Sequence, residues 1–206
     1  MINFLSVKLF IYPHYPFKLL KIDTVAWFAF AIFIFYIITW FIRNIDGRRS
    51  LPIAVILACT SGYSSYIGDV LCLSRIIVFY PFFLAGYLVS EEWFSAVVED
   101  CRIKVLAVLF FAAAAAMSYS IGAKGWPSYI STLSLFRGRF PFSEINFVMP
   151  VMKALPGYIV RAVHILVAAI LSLSFFSLVP AAESFITTLG ERTLSAYILH
   201  MPFVYL

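Results

Sequence analysis

Four side chains sit where a charge is costly. Arg75, Arg161, His164 and His200 fall within or at the edge of long apolar stretches of this 206-residue chain. An ionisable group at membrane depth must pair, face a cavity or do chemistry, so each one raises a functional hypothesis. Arg161 and His164 are three residues apart and share one face of a helix. Two readings follow. In the first, the pair forms a polar wall that holds an anionic group such as a phosphate, for which the guanidinium fork is well shaped. In the second, Arg161 lies in the first turns of its helix and snorkels to the headgroups. His200 follows Tyr197 by one turn; it either bonds across to another helix or serves as a base. His14, within YPHYP, reads as an interfacial residue.

Several other chemistries find no support. The histidines are scattered singly, with no His, Cys or carboxylate at i+3 or i+4, so no metal is expected. Cys59, Cys72 and Cys101 form no C-x-x-C pair and read as small buried apolar residues. The His-Asp pairing of soluble-type glycerolipid acyltransferases is missing, since the places five residues after the histidines hold Leu19, Ala169 and Tyr205. No glycine-rich phosphate loop or nucleophile elbow occurs.

The elements that must position these residues are set by composition. The chain is 63% hydrophobic and only 12% charged, where soluble domains run near half and a quarter. Its apolar residues come in uncharged blocks, so an all-α polytopic membrane bundle is expected, a single domain over 1–206 with about six membrane segments. A closed barrel would need an alternation that is absent. The net charge of +5 comes from basic residues in ones, twos and threes between blocks, which suits membrane anchors and not nucleic acid. Met1 to Tyr12 lacks the cationic start of a signal peptide, so insertion is expected through the first true helix.

Six segments are predicted, near 25–42, 51–68, 73–90, 105–123, 155–178 and 193–206. Val25 to Ile42 runs eighteen residues without a charge and is closed by Arg43, Arg48 and Arg49. The second block starts through Pro52 and turns rich in Thr, Ser and Gly; the third is interrupted by Pro81 and Gly86 and predicts a kinked helix. EEWFSAVVEDCRIK follows as a polar turn or short interfacial helix. The run of five alanines at 112–116 predicts a face turned toward protein. Residues 124–153, mixing cations, aromatics and prolines, predict an interfacial loop that dips inward. Lys and Arg divide almost evenly between the two sides, leaving orientation open.

At two stations the chain resembles the acyltransferase-3 family of membrane proteins, nearest its fucose 4-O-acetylase-like branch. LSRIIVFYPFFLAGYLVS at 73–90 matches a family Arg, Pro-Phe-Phe and Gly-Tyr at Arg75, Pro81, Phe82, Phe83, Gly86 and Tyr87. LGERTLSAYILHMPFVYL at 189–206 matches a late signature at Leu189, Gly190, Ser195, Tyr197 and His200, and WFAFAIF at 27–33 is similar to a Trp-Phe-Leu segment. The resemblance implies a multi-pass protein of a bacterial inner membrane. It would transfer an acyl group, commonly acetyl, from an acyl-CoA co-substrate to a hydroxyl of a sugar, glycolipid or envelope glycan, with membrane lipid around it and no bound cofactor. Arg75 matches an arginine near the donor, and Arg75 with Arg161 could hold the coenzyme diphosphate. The family's base, a His on an early helix, has no counterpart in this sequence, so the chain looks like the C-terminal portion of a longer enzyme and is expected not to acylate alone. His200 and His164 are the fallback bases. The rival from another class is a transporter or permease, in which the same cations would line a substrate path.

Overall fold

The structure, a computed structural model, describes residues 26–64, 67, 70–123, 138, 141–144 and 155–179. All its regular elements are helical: α1 (Ala26–Ile42), α2 (Gly47–Thr60), α3 (Leu73–Leu88), α4 (Glu91–Glu99), α5 (Cys101–Ala123) and α6 (Gly157–Leu178), with short 3-10 turns at Ser61–Tyr63 and Phe142–Glu144. The all-α expectation holds over these residues. Among the described residues one helix, α6, is long and apolar enough to be a membrane-span candidate, or two if the bent pair α3 and α4 counts as one. The predicted segment 193–206, and with it His200 and Tyr197, lies outside the described residues, as does His14.

Helix ends follow local chemistry. Asp46 accepts from the Arg48 amide at the start of α2, and Ser90 accepts from the Trp93 amide to cap α4. Asp100 accepts from Arg102 and opens α5 four residues earlier than the uncharged block alone predicts. α2 ends at Thr60, short of the predicted 68. The Thr60 hydroxyl donates to the Ile56 carbonyl and that of Ser61 to Ala58, so these side chains compete for the helix's own acceptors as the chain tightens into the 3-10 turn. Leu71 and Cys72 precede α3 at φ of 49° and 56°, a left-handed pair that costs about 1–2 kcal/mol per residue.

The helices pack in the order α1, α3, α2, α6, α5 across the bundle, and α4 crosses under α6 and α5. α4 breaks from α3 at an angle of 98°. Between α1 and α3, Phe35 meets Tyr80 at 5.6 Å and Phe83 at 5.3 Å, beside a buried hydrogen bond of 3.0 Å joining the Thr39 and Tyr80 hydroxyls. The chain thus runs back and forth between two ends. One end gathers Trp27, Tyr63, Arg75 and Tyr158; the other gathers Gly47, Leu88, α4 and Phe176.

The interior is mostly apolar but includes a minority of buried polar side chains, and large apolar residues also lie outside. Thr39, Ser50, Ser61, Ser74, Arg161, His164, Ser174 and Ser177 are buried, whereas Phe33, Ile56, Leu106, Leu109 and Leu166 are each 60% exposed or more. Exposed apolar surface this extensive needs a cover other than water. One expectation fails: Ala112, Ala113, Ala115 and Ala116 are exposed and Ala114 is half-buried. α5 does pack against α6, and its buried Ala107 lies outside the alanine run; small residues permit close approach without selecting which side the neighbour takes.

Candidate functional site

Arg161 anchors the site. It stands in the second turn of α6 and is 0% exposed, so it does not snorkel. The helix turns it inward with its neighbours on the same stripe, Val160, His164 and Ile165, all buried. Ile165 packs on Ala58 and Cys59 of α2, with Val55 and Phe82 at the edge, and this apolar cluster closes the site toward the middle of the bundle.

The opposite wall is aromatic. The Arg161 guanidinium lies 5.2 Å from the ring centroid of Phe142, which meets Tyr63 edge to face at 5.0 Å. Two glycines admit this ring. A Cβ on Gly62 or on Gly157 would come within 2.5 Å of it, closer than any side-chain carbon tolerates. Phe142 therefore occupies the room that the missing side chains leave. Tyr63 also accepts at 3.4 Å from the Tyr158 amide, satisfying one of the free donors of the first turn of α6.

Nε and both terminal nitrogens of Arg161 are buried without a hydrogen-bond partner among the described residues. Charge buried this way is expensive, and a ring face returns only about 2 kcal/mol of it. Among the described residues the five N–H donors of the fork have no acceptor, a donor set whose chemistry suits an anion.

Arg75 occupies a separate place at the same end of the bundle. Half-buried in the first turn of α3, it stacks on Trp27 of α1 at 4.8 Å. Next to it the Ser74 hydroxyl donates to the carbonyl of Gly138, a residue at φ +60° that packs on Val78. The described pieces of the predicted interfacial loop, Gly138 and 141–144, are thus packed on the bundle.

The sequence paired Arg161 with His164, and the structure buries both on one face of α6. It missed Phe142, Gly62 and Gly157, and no spacing in the sequence signals a contact among three elements so far apart along the chain. Comparisons with models of protein families, with curated proteins and with solved structures each find no match.

Proposed function

We propose that this chain is a multi-pass membrane protein that moves an acyl group, acetyl in the first instance, from acyl-CoA to a hydroxyl of a sugar or envelope glycan. The observation that carries this reading is Arg161, sealed in the bundle with every guanidinium nitrogen unpartnered among the described residues. A buried cation so provided for an anion suits the diphosphate of a coenzyme. Arg75, at the same end and resembling the family's donor-side arginine, supplies the second charge.

The membrane setting is supported by α6 and by the exposed apolar residues around the bundle. α1, α2, α3, α5 and α6 are five of the proposed six segments, with 193–206 the sixth. In the reaction the acceptor oxygen attacks the thioester carbonyl carbon, the C–S bond breaks as the ester C–O bond forms, and the hydroxyl proton passes to a base while CoA leaves. Within this chain His164, one turn from Arg161, is the first candidate for that base and His200 the second.

Binding and transfer are read separately. The chain reconstituted in vesicles receives acetyl-CoA labelled in the acetyl group together with membrane glycans. Donor binding that Arg161→Met abolishes, without transfer by this chain alone, is the expected outcome; label appearing as a hydroxylamine-sensitive ester on glycan would instead make His164 and His200 the first residues to mutate. Binding without transfer assigns the base to another chain. Proton-coupled solute uptake with neither binding nor transfer overturns the proposal in favour of a transporter.

A further inference from the structure

A second feature lies at the other end of the bundle. A cavity of about 700 Å³ opens between α3, α4 and α6. Its walls are apolar: Phe82 and Ala85 from α3, Trp93 and Phe94 from α4, Ala169 and Phe176 from α6. At Gly86, which also lines it, an added Cβ would meet nothing within 4 Å, so the space continues to the helix backbone itself.

The polar groups at this cavity are few and mostly engaged. Ser172 donates its hydroxyl to the Ala168 carbonyl, and Ser90 accepts from the Trp93 amide in capping α4. That leaves the Glu91 carboxylate as the charge at the mouth, on the first turn of a helix that crosses α3 at 98°. A helix lying across the ends of others, with Glu91, Glu92 and an exposed Trp93 on its first turn, suits the boundary between hydrocarbon and water.

We propose that this cavity holds one hydrocarbon chain of a membrane lipid whose head carries an ammonium group, with the ammonium on Glu91. Size and predominantly apolar walls select a hydrocarbon chain over a polar ligand. The sign of Glu91 selects the head, since an anionic head would be repelled where a zwitterionic amine-bearing one pairs. The inference rests on the membrane placement proposed above and is independent of acyl transfer.

The test uses the full chain in nanodiscs containing phosphatidylethanolamine or phosphatidylglycerol with a diazirine near the end of one acyl chain, and labelled peptides are mapped after illumination. Labelling by the ethanolamine lipid concentrates on α3, α4 and α6 around Phe82, Trp93 and Phe176, and exceeds that by the glycerol lipid. Gly86→Leu fills the cavity from a position with open space and improves helix propensity, so it should fold. Each excluded methylene weakens binding about fourfold, so labelling there falls about tenfold or more, and Ala169→Leu repeats the effect from the opposite wall. Glu91→Gln keeps the chain site but equalises the two lipids. Labelling spread evenly over the outer surface, labelling at the cavity unchanged by both filling variants, or preference for the glycerol lipid would each overturn the proposal. Donor binding at Arg161 is unaffected by any of these results.

Discussion

Replacing Arg161 by Met should make the protein more stable. Met keeps most of the side chain's length and removes the charge. The effective cost of burying an ion after relaxation is several kcal/mol. Against it stand the stacking on Phe142 at 5.2 Å, worth about 2 kcal/mol when desolvated, and some packing of the guanidinium. The difference leaves a gain of about 1–3 kcal/mol, within the about 1–4 kcal/mol found when buried ion pairs give way to apolar residues of similar volume. For a chain of this size that corresponds to a rise in melting temperature of about 2–12 °C. Thermal unfolding of both proteins in one detergent, without ligand, reads it directly. Excess acetyl-CoA should then reverse the order, since ligand at about 1,000 times Kd adds about 4.1 kcal/mol to a protein that binds it and nothing to one that does not. A loss of about 3 kcal/mol or more on substitution would refute the reasoning, because that is the cost of orphaning a buried partner and would reveal a structural ion pair.

Three further outcomes follow from the packing. Gly157→Ala and Gly62→Ala should each destabilise by about 1–3 kcal/mol, since the new methyl group occupies the place of the Phe142 ring; in the Phe142→Ala background the penalty should largely vanish, as a double-mutant cycle by thermal unfolding would show. Tyr80→Phe should cost about 0.5–1.5 kcal/mol by leaving the Thr39 hydroxyl unmatched, and Thr39→Val combined with it should recover part of that in the same assay. Arg75→Met should change stability less than Arg161→Met, because the half-buried Arg75 keeps access to solvent on Trp27; equal shifts would contradict the different burial of the two cations.

What could be read in advance divides along physical lines. α1, α3 and α6 appear within a few residues of expectation because charges and prolines punctuate the apolar blocks on which they are built. α2 stops early because hydroxyls and glycine decide its end, and their effect depends on what packs against them. The alanine run misled, since a small side chain is equally compatible with a neighbour and with the outside. Arg161 was legible as costly but not in direction. Snorkelling and burial share one sequence pattern, and the choice depends on Phe142, admitted by two glycines from distant parts of the chain.

The central claim, that Arg161 is kept buried to receive the anionic part of an acyl-CoA, is tested most directly by equilibrium binding of acetyl-CoA to the purified chain and to Arg161→Met, with the fold of both verified by unfolding. The account predicts saturable binding that the substitution weakens by at least about thirtyfold, the equivalent of about 2 kcal/mol or more for removing one partner of a buried charge pair. Equal affinity of the two proteins would contradict it.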